Sequence, residues 1–335
     1  MKDNKIIKIM NKIFFNHSQK RLKSGWRVLI FFILFFAIFA LAQIIIQNII
    51  HVRIIMILLS QLIIPVIALG TLWLGGRYLD HRKFKDYGFT ISRRWWLDFT
   101  FGIILSFLLF CVVFLFEKAM SWIDLVDYFQ NQREGYFGTP FFILFIVLLI
   151  FYIIVGFYEE ILFRAYPITN LSEGLNKGNS IAKKALIGAY ILSAIIFGLI
   201  QSGISDVTIL GVINNILLGL FFGLPYILSG ELSMSIALHI SWNFVQGLIF
   251  GFPISGVQNK ISIIAIEQGG PQLWTGGAFG PEGGLLVSIV LLVGCVFILL
   301  WFKLMKSPMS LITKMAEYNS PNLLTKNIAS KVNSI

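Results

Sequence analysis

Long apolar runs recur along the chain with short polar connections between them. A helix needs about 20 apolar residues to cross the hydrocarbon of a bilayer. Residues 28–50, 54–75, 99–116, 141–163, 185–204, 207–229, 232–251 and 285–303 approach or exceed that length, and they predict an all-α membrane protein of about eight transmembrane helices. The connections are short except 77–98, 117–140, 164–184 and 252–284. The last of these carries GFPISG at 251–256 and TGGAFGPEGG at 275–284. No Lys and following helix mark these glycines as a phosphate cradle. They predict a structured, turn-rich loop outside the cytoplasm. Five segments follow: a basic stretch 1–27, three helices with their loops over 28–140, four helices over 141–251, the Gly-rich loop and last helix over 252–303, and a tail 304–335.

Composition agrees. Of the 335 residues, 57% are hydrophobic and 13% charged, about half the charge of a soluble domain. The formal net charge of +11 is read as topology rather than nucleic-acid binding. Lys and Arg cluster in the first 27 residues, in 77–98 (Arg77, Arg82, Lys83, Lys85, Arg93, Arg94) and after the last run (Lys303, Lys306, Lys314, Lys326, Lys331). The loops 117–140 and 252–284 are poor in base. Basic loops face the cytoplasm, so both termini are expected there. No short apolar core with a cleavage site precedes the first run, which is expected to be an uncleaved anchor. Tyr87, Phe89, Trp95 and Trp96 among basic residues predict an interfacial stretch over 81–98. Cys111 and Cys295 lie in apolar runs and imply no disulfide framework. Heavy use of Ile, Lys, Asn and Phe fits an AT-rich genome, and the expected location is a bacterial plasma membrane.

Against this background the string EEILFR (Glu159 to Arg164) stands out. An ionisable side chain at the bilayer centre costs roughly 2.5–3.5 kcal/mol on the insertion scale. Three unpaired ones would cost about 8–10 kcal/mol. Neighbouring helical positions point about 100° apart, so Glu159 and Glu160 cannot face one site equally. Glu160 and Arg164, at i and i+4, can pair on one face. A structural ion pair accounts for those two but leaves Glu159 unexplained, and a carboxylate without a cation suits a general base. His239 and Asn243 are also at i and i+4, flanked by Trp242 and Gln246. A membrane histidine often serves only as an interhelical hydrogen-bond partner; the shared face with Asn243 and the presence of Glu159 favour a site. Asn214 and Asn215 read as glue between helices.

EEILFR, the string FGLIQ (Phe197 to Gln201) and HISWN (His239 to Asn243), in this order on separate spans, resemble the CPBP family of intramembrane proteins. That family includes the type II CAAX prenyl endopeptidases and the bacterial Abi and bacteriocin-immunity proteins. The resemblance covers about residues 141–250, which makes 141–251 the expected catalytic core, and the two Gly-rich strings look like those of a bacterial branch. It implies an intramembrane endopeptidase acting on a membrane-associated peptide or protein. Glu159 would activate water, His239 and Asn243 would stabilise the oxyanion, and Glu160 and Arg164 would support the site. Some accounts of the family describe instead a metal held by the glutamate and two histidines.

The second motif carries Gln201 where the family has histidine. The remaining histidines, His17, His51 and His81, lie outside the motifs. Glutamine can hold a water but cannot exchange its proton, and it is a rare zinc ligand. No cofactor is required by the hydrolytic reading, and the zinc alternative is weakened. Three functions remain in view: an endopeptidase, a catalytically impaired relative acting in bacteriocin immunity or regulation, and a proton-coupled transporter. The transporter lacks an internal repeat. One geometric condition is open. Glu159 lies late in its run and Gln201 late in the next, so the two meet only if the first helix continues past Arg164 or the second begins in the interface, for which AKKALIG (Ala182 to Gly188) is a suitable start.

Overall fold

The computed structural model describes residues 12–17, 19–50, 53–131, 139–176, 181–203, 207–258, 260–305 and 311–318. His51, Lys2, Lys5, Lys8, Lys306, Lys326 and Lys331 lie outside the described residues. Seven helices among the described residues are long and apolar enough to cross a membrane: Ser24–Ile49, Leu58–Asp80, Arg93–Ala119, Phe141–Leu175, Ala182–Gln201, Ile209–Ser229 and Leu285–Leu304. The protein is a multi-pass, all-α membrane protein. The eighth expected span, 232–251, is a shorter helix, Ser233–Asn243, followed by the π-helical turn Phe244–Ile249. Every residue of that helix is buried, so its polar side chains meet protein.

Contacts divide the chain into two compact units. The first comprises 1–87, 165–189 and 311–335. In it α1 (Ser24–Ile49) packs along α2 (Arg53–Leu74) and against α5 (Tyr166–Leu175). Phe31 stacks on Tyr166 at 3.9 Å. The basic residues near its surface are not all free topological charges. Asp80 accepts from Arg27, from the Tyr87 hydroxyl at 2.6 Å and from Asn170 at 2.8 Å. Glu173 pairs with Arg21, and with Arg27 and Arg82 at 3.0 Å each. The tail joins the same cluster: Arg21 lies 3.3 Å over the Tyr318 ring, and Arg82 donates to the Glu317 carbonyl. The N-terminal stretch and residues 311–318 therefore meet within one unit.

The second unit comprises 88–164 and 190–310. Its centre is the enclosed helix α8 (Ser233–Asn243), packed against α3 (Arg93–Ala119), α4 (Phe141–Glu160) and α7 (Ile209–Ser229). Helix α6 (Ala182–Gln201) brings Ala194 and Gly198 close to Gly219 and Ile216 of α7, and α9 (Leu285–Leu304) packs on α3 and α7. Small residues bring these backbones close, as is usual between helices in lipid. A Cβ on Gly156 would lie 2.6 Å from Ile240 Cγ1, and one on Gly198 would lie 2.5 Å from Ile216 Cγ1.

The two long loops of this unit, 117–140 and 252–284, hold strands that the sequence pattern did not announce. Beyond the short antiparallel pair β1 (Phe15–Asn16) and β2 (Arg21–Leu22) of the first unit, β3 (Ile123–Asn131) and β4 (Ile261–Gln268) form an antiparallel ribbon in which Ile123 faces Gln268 and Asn131 faces Ile261. The register shifts between Leu125 and Asp127. This bulge breaks the period-two alternation that would otherwise mark a strand. Leu144, Leu148 and Tyr152 of α4 pack with Leu248 and Ile261 beneath the ribbon.

Candidate functional site

The helix that carries Glu159 does not stop at Arg164. It passes through the π-helical turn Ile161–Ala165 and ends at Leu175, a run of 35 residues, or about 52 Å at 1.5 Å per residue. Glu159 is thus near its middle. The extension satisfies the condition posed by the sequence, and the two side chains meet: Gln201 Nε2 donates to Glu159 Oε2 at 2.7 Å. The Tyr158 hydroxyl donates to the other oxygen, Oε1, at 3.2 Å.

His239 stands between the two glutamates. Its Nδ1 is 2.8 Å from Glu160 Oε1, and its Nε2 is 3.7 Å from Glu159 Oε2. Both carboxylates reach one imidazole because its nitrogens lie on different edges of the ring. The 100° offset of the helix therefore separates their roles without separating their partner. Glu160 also pairs with Arg164 Nη1 at 3.0 Å; the donor angle is too poor for a hydrogen bond, so that attraction is Coulombic. A carboxylate paired with arginine accepts but does not donate. The proton of the 2.8 Å contact is then on Nδ1. Arg164 is held from other sides by the Gly219 carbonyl at 3.3 Å and by the Phe197 ring, 4.2 Å from its guanidinium carbon. The His239 ring stacks on Phe222 at 4.6 Å.

Glu159, Gln201, His239 and Asn243 line one cavity of about 260 Å³. Glu160 and Arg164 are buried behind it and do not line it. All six residues singled out in the sequence thus lie in one place. The remaining wall is mostly aromatic and aliphatic, with Tyr152, Tyr158, Phe197, Phe222 and Trp242 among its members. Asn214 does the gluing expected of it. Its amide donates to the carbonyls of Glu282 and Gly284 at 2.8 Å, and its oxygen accepts from Ser288. Asn215 bonds Ser202 and also reaches the cavity wall.

Sequence reasoning missed the part of the cavity supplied by the Gly-rich loop: Ile254, Ser255, Val257 and Glu282. Glu282 is buried and accepts from Ser255 N at 2.7 Å, Ser255 Oγ at 2.8 Å and Trp242 Nε1 at 3.3 Å. Burial pushes its carboxyl above the usual range, partly offset by the donors from Ser255 and Trp242. Ile254 and Val257 exchange backbone bonds across a two-residue turn, Ser255-Gly256, with positive φ at both positions. This is the pattern of primed hairpin turns. A left-handed serine costs roughly 1–2 kcal/mol, and the two bonds to Glu282 offset it. The dipeptide Pro-Glu in a glycine run was the only sequence signal for this acid.

Residues 140–245 match the family described as type II CAAX prenyl endopeptidase Rce1-like. That segment is similar to this family. The match runs from the residue before α4 to just past α8 and contains every motif residue from Glu159 to Asn243. Glu282 and Ser255 lie beyond its end, although they line the same cavity. No curated protein and no solved structure matches the chain significantly.

The metal described in some accounts of the family does not fit this donor set. His239 spends Nδ1 on Glu160, and Gln201 points an amide N–H, a donor, at Glu159. One imidazole nitrogen and one carboxylate remain, short of the three protein ligands usual for catalytic zinc. Among the described residues no group of three or more His, Cys, Asp or Glu is placed to hold a metal ion.

Proposed function

We propose that the Rce1-like segment is an intramembrane endopeptidase that hydrolyses a membrane-associated peptide or protein with water activated by Glu159. The observation that carries this reading is the approach of Glu159 Oε2 to His239 Nε2 at 3.7 Å on the wall of a cavity inside a membrane-spanning bundle. That separation exceeds a direct hydrogen bond and suits a bridging water. Glu159 takes the proton of the attacking water and returns it to the leaving amine as the tetrahedral intermediate collapses and the C–N bond breaks. Glu160 fixes the imidazole through Nδ1, so that His239 and the Asn243 amide are held to stabilise the oxyanion as it forms. Asn243 follows His239 by one helical turn and lines the same cavity. No step uses a metal.

The test is cleavage of labelled transmembrane peptides by the purified chain in lipid. Glu159→Gln is expected to lower the rate by about 10²–10⁴, and His239→Ala to do likewise. Cleavage that survives both substitutions rules the mechanism out.

One observation favours a second reading, a non-catalytic membrane protein acting in bacteriocin immunity or regulation. The 2.7 Å bond from Gln201 occupies the Glu159 oxygen that faces His239, and an amide cannot relay a proton. Gln201→His separates the two. If it switches on cleavage absent from the native chain, the native chain is the impaired form; if native cleavage is present and merely changes in rate, the endopeptidase reading stands.

A further inference from the structure

The Gly-rich loop has no part in the hydrolytic step, yet it completes the cavity in which that step would occur. The two sides of the cavity differ in what they leave unused. On the helical side, His239 Nε2 and the Glu159 carboxylate face across 3.7 Å and retain polar capacity. On the loop side, Ser255 spends both its N–H and its hydroxyl on Glu282. The turn's strand-like residues Ile254 and Val257 bond each other through their backbones. What this side offers an occupant is therefore the aliphatic surface of Ile254 and Val257.

Glu282 sets the position of that surface. Its three neighbours are all donors: Ser255 N, Ser255 Oγ and Trp242 Nε1. Only a carboxylate satisfies them together. Glutamine would turn its own N–H2 against either the Trp242 N–H or the Ser255 N–H. Trp242 lies on α8 between His239 and Asn243, with its ring against Phe222, the ring stacked on His239. Glu282 thus ties the loop turn to the helix that presents the polar side. The loop is braced from behind as well: the Gly256 N–H donates to the Phe279 carbonyl, and Asn214 holds the Glu282 carbonyl.

We propose that the turn Ile254–Val257, latched by Glu282, is a substrate side-chain subsite that receives an apolar residue beside the bond to be cleaved. Glu282 is a positioning residue of this subsite. The inference rests on the endopeptidase reading for the cleaved bond, but the binding it describes can be measured without cleavage.

Binding is read by photocrosslinking in the full chain in lipid nanodiscs, with p-benzoylphenylalanine at Phe151, an aromatic of the cavity wall outside the turn, and Glu159→Gln to stop turnover. The probes are synthetic transmembrane peptides identical except at one central residue, which is Ala, Leu, Phe, Lys or Asp. The Leu and Phe peptides are expected to crosslink about tenfold more than the Lys and Asp peptides. Equal crosslinking of Leu and Asp peptides overturns the subsite. With Glu159 intact, Val257→Trp narrows the turn wall and should raise KM for the Phe peptide about tenfold relative to KM for the Ala peptide. Val257 is over half exposed, so this variant folds without repacking a core. Glu282→Gln should flatten the preference, and adding Trp242→Phe should restore it by removing the opposing donor. Selective crosslinking with no cleavage of any peptide leaves the subsite standing and defeats the endopeptidase reading. Cleavage with a preference that Val257→Trp does not alter does the reverse.

Discussion

At the scale of single residues, Glu159 and Glu160 are neighbours in sequence with opposite surroundings. Glu160 has an arginine, an imidazole N–H and no place on the cavity wall; Glu159 has two neutral donors and the cavity. Their substitutions should therefore separate stability from activity. Arg164→Met leaves Glu160 buried without its cation, and breaking a buried pair costs about 3–5 kcal/mol. Thermal unfolding in detergent should show a large fall in Tm for that variant. Glu159→Gln removes a carboxylate beside Glu160 and keeps the volume, so its Tm should stay within a few degrees of native while cleavage is lost. These residues were legible in the sequence because a charge in an apolar run has an obvious cost. Glu282 was not legible for the opposite reason: an acid in a Gly-rich loop looks solvated, and only the fold encloses it.

At the scale of elements, the site depends on how closely α4 and α8 approach. Gly156 is one turn before Glu160, and a methyl group there would meet Ile240 N at 2.9 Å as well as its side chain. Gly156→Ala should push α4 from α8, widen the gap between Glu159 and His239, and lower kcat by about tenfold or more. Gly188→Ala is the control, since its nearest neighbour is a Leu175 methyl at 3.5 Å; it should cleave as the native chain does. Equal activity of the two variants would remove the approach distance from the explanation. Apolar run lengths made α1, α2, α3, α4, α6, α7 and α9 readable in the sequence. Helix α8 was readable as a helix but not as an enclosed one, because Ser, His, Trp and Asn on all its faces carry no mark of what surrounds them. The β3–β4 ribbon was hidden by its bulge.

At the scale of the whole molecule, the decisive contact is between the two ends of the described chain. The N-terminal stretch, Asp80, Glu173 and the tail at Glu317–Tyr318 gather in one unit. Seven helices are long enough to cross; the expectation of eight crossings with both termini on one side requires the short helix α8 with its π-helical turn, about 25 Å long at 1.5 Å per residue, to be the eighth. Cysteines placed at His17 and Lys314 should then react with a membrane-impermeant reagent from the same side, and the positive-inside rule makes that side the cytoplasm. Labelling from opposite sides would leave seven crossings. Asp80→Ala removes the acceptor shared by Arg27, Tyr87 and Asn170 and should destabilise this unit by about 3–5 kcal/mol, read as a loss of protection in hydrogen exchange over α1 and α5.

The sequence by itself determined that the chain is a helical membrane protein and that Glu159, Glu160 and Arg164 are costly enough inside an apolar run to need partners. Run length and charge inside a run are local properties, and the bilayer converts both directly into structure. It also determined that Glu160 pairs with Arg164, because helical spacing alone brings them together. The meeting of Glu159 with Gln201, the sharing of one imidazole by two carboxylates, and the closing of the cavity by Glu282 were decided only by the tertiary structure. Each depends on a distance between segments far apart in the chain, set by glycines at helix crossings and by a loop whose own polar groups pair with one another.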